Sequence, residues 1–93
     1  MDVKEAVRTA KEYLSDLYEA EQIINVGLEE VVFEDVSNSW RVTIGFSRPW
    51  DQKHALATAL AGGGPARSYK VLCINDGSGE VESLTDRVLK ASE

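Results

Sequence analysis

Between Val3 and Tyr18 the apolar side chains return every three or four positions. Val3, Val7, Ala10, Leu14 and Leu17 make one stripe, and Ala6, Tyr13 and Tyr18 widen it. That period belongs to a helix with one buried face. Lys4, Glu5, Arg8, Lys11, Glu12, Ser15 and Asp16 fill the other side as a solvent face. Asp2 is placed to cap the N-terminus, where a carboxylate accepts from free backbone N–H groups and suits the helix dipole. The pattern predicts a helix over about residues 2–20, with a small-residue stripe suited to close packing on a sheet.

The period then shortens to two. "WRVTIGFS" alternates cleanly, sending Trp40, Val42, Ile44 and Phe46 one way and Arg41, Thr43, Gly45 and Ser47 the other. This is a strand with one buried face. Each of those large side chains stabilises the fold by about 1.5–3 kcal/mol when buried, which puts the centre of the core here. The preceding "GLEEVVFEDV" also favours a strand, over about residues 28–36, but its alternation is imperfect. Leu28 and Val32 share one parity, Val31 and Phe33 the other. Either a bulge near Glu29-Glu30 gathers Leu28, Val31 and Phe33 on one side, or both faces are covered. "SNS" (37–39) reads as a turn in which Asn38 takes a left-handed conformation.

"SYKVLCIN" (68–75) is apolar on both faces and predicts a central strand. "GEVESLTDRV" predicts a weaker fourth strand, followed by a polar tail over about residues 87–93. Asp76-Gly77-Ser78-Gly79 joins the two, and its glycines permit the positive φ values of a tight hairpin. A calcium loop is the chemical alternative. It wants glycine sixth and glutamate twelfth, and counting from Asp76 those places hold Val81 and Arg87. A phosphate loop would lead into a helix rather than a strand.

One long helix followed by four strands that pair as a meander makes a single α+β domain over residues 1–93, the helix covering the Trp40 face. The connection over about 48–67 interrupts the strands. Pro49 ends pairing, Asp51 is a plausible cap for a short helix over about 52–61, and Gly62-Gly63-Gly64-Pro65 forms a flexible link.

Composition narrows the function classes. A hydrophobic share of 43% and a charged share of 28% suit a globular chain rather than a disordered one. The only cysteine, Cys73, has no partner for an internal disulfide and sits mid-strand between Leu72 and Ile74, as an inert buried thiol does. No run approaches the roughly 20 apolar residues of a membrane span, and the N-terminus lacks a signal-peptide pattern. A cytoplasmic location is the expectation, with neither membrane nor cofactor.

The net charge of −6 is unevenly placed. Residues 19–35 carry six acids and no base, whereas 36–75 carry five bases against Asp51 alone. An acidic total disfavours nucleic acid as a partner, since such binding rests on neutralising phosphates. Either the two segments are adjacent strands that complement each other, or Glu29, Glu30 and Glu34 form an acidic strip facing a partner.

"SRPWDQKH" places Trp50 after a proline, flanked by Arg48 and His54, and tryptophan and arginine are enriched at binding hot spots. Trp50 either folds back to plug one end of the helix–sheet layer or serves recognition. Arg67 follows the glycine run and completes the basic set. Arg48, Trp50, His54, Arg67, Glu29, Glu30 and Glu34 are thus the expected contact residues. No catalytic constellation accompanies them: a lone histidine and a mid-strand cysteine offer no activated nucleophile and no metal spacing.

The alanine-bearing helix (Ala6, Ala10), the Trp-x-Val strand (Trp40, Val42) and the hairpin carrying Asp76, Gly79, Glu80 and Val81, with Ser78 in a threonine place, resemble the small PepSY-like domains and the wider cystatin-like helix-on-sheet group. The resemblance implies a non-catalytic module linked to protein binding or inhibition. The inhibitory Gln-x-Val-x-Gly hairpin of cystatins is not met, because "QIINVG" spaces Gln22, Val26 and Gly27 differently, and no inhibitor residues carry over. The expected function is a protein-binding or regulatory module, its partner another protein or a second copy of itself. A small-molecule site between helix and sheet is the alternative.

Overall fold

The structure is a computed structural model that describes residues 1–49 and 67–87. Helix α1 spans Val3–Leu17. Asp2 caps it as its residue type suggests, Oδ1 accepting from the Glu5 N–H at 2.8 Å. A 3-10 turn at Glu19–Glu21 and Gln22, left-handed at φ 51°, reverse the chain. Four strands follow: β1 (Ile24–Glu34), β2 (Ser39–Ser47), β3 (Ser68–Asn75) and β4 (Val81–Asp86). They pair in chain order as an antiparallel sheet. The expected α+β arrangement, one long N-terminal helix on a four-stranded meander, is the one observed.

The helix meets the sheet along a narrower line than its full apolar stripe. Ala6, Ala10 and Leu14, each four residues apart, have no solvent exposure; neither do Val42, Ile44 and Phe46 of β2 or Leu72 and Ile74 of β3. The two alanines let the α1 backbone lie close over β2, and Leu14 supplies the one large buried side chain from the helix. Val3, Tyr13 and Leu17 remain 43%, 41% and 54% exposed. They flank the contact, because a convex helix cannot press its whole apolar arc onto one layer.

The ambiguity in β1 is resolved by a bulge. Leu28 pairs with Ile44 and Glu30 with Thr43, so Glu29 is the extra residue. The slip puts Leu28, Val31 and Phe33 on the helix side, opposite Ile44, Val42 and Trp40. A second irregularity lies between Ile24 and Gly27, where Asn25 is left-handed at φ 55°. This break disguises the first residues of β1, which begins earlier than the pattern predicts. It also ends earlier: Val36 belongs to the turn and is fully exposed. Asn38 closes that turn in the expected left-handed form, φ 52°.

Asp76-Gly77-Ser78-Gly79 is a hairpin turn. Asn75 Oδ1 accepts from the N–H groups of Gly77 and Ser78 at 2.8 and 2.9 Å, and the Gly79 N–H donates to the Asn75 carbonyl at 2.8 Å. Only Gly79 uses a positive φ, 74°. The Asp76 carboxylate has a structural partner, accepting from Trp40 Nε1 at 2.9 Å. Trp40, its ring centre 5.0 Å from that of Phe33 and tilted 57° to it, closes this end of the layer. The short helix expected near 52–61 and most of the polar tail lie outside the described residues.

Candidate functional site

The acidic and basic segments do lie side by side as strands. Arg41 of β2 pairs with Glu34 of β1 at 3.0 Å, and Arg67 approaches Glu29 at 3.8 Å. The second pair lies over Gly45. A Cβ there would stand 2.8 Å from Arg67 Nη2, 3.0 Å from Tyr69 Cε1 and 3.1 Å from Glu29 Oε2. Glycine at that position is what allows the guanidinium, ring and carboxylate to settle onto the sheet face away from α1. Glu30 is exposed on the same face, opposite Thr43.

Arg48 occupies a different place, on the helix side beyond the end of β2. Its Nε donates to Glu21 Oε1 at 2.6 Å and its Nη1 to Ser68 Oγ at 2.9 Å. The guanidinium lies 5.4 Å from the Tyr18 ring centre and 5.2 Å from that of Phe46, a cation–π arrangement. It ties the C-terminal end of α1 to β2 and β3. Nearby, Lys70 donates to Asp86. That hydrogen bond raises the Lys70 pKa above its ordinary value, against the lowering effect of burial, and holds the Asp86 carboxyl below its own.

Among the described residues, the expected contact residues lie in more than one place. Glu29 and Arg67 come together, Glu34 and Glu30 lie further along β1, and Arg48 is built into the far end of the helix–sheet joint. Trp50 and His54 lie outside the described residues. Cys73 is half-buried in β3 rather than sealed in the core. Among the described residues, no group of three or more His, Cys, Asp or Glu side chains gathers as for a metal ion, and no helix is long and apolar enough to cross a membrane.

A surface feature stands instead along the flank of α1. Val3 and Val7 of the helix and Leu28 of β1 form the floor of an open groove of about 480 Å³, and Lys4, Arg8 and Lys11 rim it. Val3 and Leu28 are each 43% exposed, so both apolar walls are reachable. None of the ion pairs among the described residues uses Lys4, Arg8 or Lys11. Beside the groove runs β1, the outer strand of the sheet, hydrogen-bonded among the described residues to β2 alone. The signal was present in the sequence. Positions 4, 8 and 11 share one helical stripe, and that stripe adjoins Val3 and Val7. Treating all polar helix positions as one solvent face hid it.

The chain matches no protein-family model, and no curated protein or solved structure is significantly similar to it.

Proposed function

We propose that this chain is a non-catalytic protein-binding or regulatory module. The observation that carries this is the outer strand β1 with the apolar, cation-rimmed groove beside it. An unpaired strand edge offers backbone donors and acceptors to another chain, and a neighbouring groove supplies specificity through side chains. Helix and sheet meet through residues with no exposure, Ala6, Ala10 and Leu14 against Val42, Ile44 and Phe46, which favours a surface partner over a ligand held between the layers. The resemblance of the sequence to PepSY-like and cystatin-like modules points the same way.

A second reading places a small amphiphilic anion in the groove, whose volume falls within the range of small-molecule sites. Native mass spectrometry of the protein purified from its own host separates the two. A retained protein chain or a second copy supports the binding module. A retained molecule of a few hundred daltons at one-to-one stoichiometry supports the second reading, and a bare monomer under gentle desolvation counts against both.

A further inference from the structure

We infer that the occupant of the α1–β1 groove is an extended protein segment that adds to the β1 edge and turns apolar and acidic side chains toward α1. This rests on the binding role proposed above and names the chemistry of the partner.

The backbone supplies the first part. After the bulge at Glu29, β1 runs in regular register from Glu30 to Glu34 against Thr43 to Ser39. Five residues of undistorted outer strand are thus presented to a new neighbour. In a strand laid there, alternate side chains fall on the helix side and the rest on the opposite face. Helix-side positions face Val3, Val7 and Leu28, with Lys4, Arg8 and Lys11 above them. Apolar groups suit the floor, and carboxylates suit a rim of three cations that have no acidic partners among the described residues. Opposite-face positions meet Glu30 and the Glu34–Arg41 pair, where added acid is repelled.

The same charges argue against other occupants. A two-fold pairing of β1 with β1 of a second copy, centred on Val32, would set Glu30 against Glu34 of the other chain. Like charges directly opposite each other destabilise a sheet. A membrane surface suits protruding apolar side chains, whereas these residues line a concavity between helix and strand.

The test is selection of a random 12-residue peptide display library on the full chain. Enriched peptides are expected to interleave Leu, Ile, Val or Phe with Asp or Glu. In amide NMR spectra a selected peptide should shift Val3, Val7, Leu28 and Glu30 to Glu34. The triple variant Lys4→Glu, Arg8→Glu, Lys11→Glu should bind that peptide at least about ten-fold more weakly, from three exposed ion pairs lost and replaced by repulsion. Should the triple variant fold poorly, the wild-type affinity must still fall as salt is raised from about 0.05 to 0.5 M. Enrichment of acid-free peptides, shifts confined to β4 or to the face away from α1, affinity indifferent to salt or to the triple variant, or self-association through β1 would each overturn the assignment. A native protein partner that survives the triple variant would remove the groove assignment and leave the binding module standing. No peptide enriched and no partner retained would remove both.

Discussion

Leu14 and Leu17 lie on the same predicted stripe, yet the fold treats them differently, and replacing each by alanine measures that difference. Leu14 has no solvent exposure and is the only large side chain that α1 inserts fully into the core. Removing a buried leucine costs the transfer free energy of the lost methyl groups plus that of the cavity left behind, about 2–5 kcal/mol. The alanines at positions 6 and 10 cannot swing in to fill the gap. A domain of this size has a total stability of about 5–14 kcal/mol, so Leu14→Ala is expected to remove about a third of it when both ranges are taken at their middle. At roughly 4–8 °C per kcal/mol, a loss of about 3 kcal/mol lowers Tm by about 12–24 °C. Leu17 is 54% exposed, and its truncation gives up less than about 1 kcal/mol. Urea unfolding followed by far-ultraviolet circular dichroism reads both. Equal midpoint shifts for the two variants, or a larger one for Leu17→Ala, would show that α1 is seated on the sheet by a different face.

Trp40→Phe keeps the ring beside Phe33 but loses the 2.9 Å bond to Asp76; a loss of about 1–2 kcal/mol is expected, and an unchanged urea midpoint would mean the bond contributes nothing. In the β3–β4 hairpin, Gly79→Ala forces a Cβ into the left-handed region at φ 74° and should cost about 1–2 kcal/mol. Gly77→Ala needs no left-handed backbone but presses at 3.3 Å on Asn75 Oδ1, the acceptor of two turn hydrogen bonds, and should cost less than Gly79→Ala, so a reversed order would contradict the turn geometry. The Lys70–Asp86 pair predicts a pH profile. Asp86 is held below its ordinary value, so its contribution is present above the unfolded pKa of about 3.9 and is lost as pH falls through the folded one. Lys70 is raised, so its contribution is present below about pH 10.4 and is lost as pH rises through its folded pKa. Asp86→Asn should flatten both ends of a stability profile taken over about pH 2–12, and identical slopes in variant and parent would refute the pairing.

Most of the fold was legible because local pattern and tertiary packing agree. Asp2, the helix period, the Trp40 to Phe46 alternation and the Asp76 to Gly79 turn each point to the element that forms. Yet β2 is not buried on one face alone: Thr43 and Ser47 on its other face are buried as well. Pattern failed where packing chose between equals. Leu28 against Val31 and Phe33 is a parity conflict that only pairing with β2 resolves, and it does so by extruding Glu29. Val36 has strand propensity, but the turn from Asp35 to Asn38 takes it. The candidate site was less legible than the fold. The opposite charge of segments 19–35 and 36–75 announced that they would lie side by side, as the Glu34–Arg41 and Glu29–Arg67 pairs do, yet Arg48, chosen for its company with Trp50, is occupied with Glu21, Ser68 and two aromatic rings. The groove at Lys4, Arg8 and Lys11 depends on which side of α1 the β1 edge lies, a fact that no one-dimensional period contains.

The extruded residue of β1 has a consequence for how this chain tolerates change in length. Leu28 faces Ile44 and Glu30 faces Thr43, so excising Glu29 would leave an unbroken ladder with every apolar group still on its own side. The shortened strand would forfeit the counter-ion of Arg67 and the local twist that a bulge adds. Gaps of one position are usually ruinous inside a sheet, but here the strand holds a spare link.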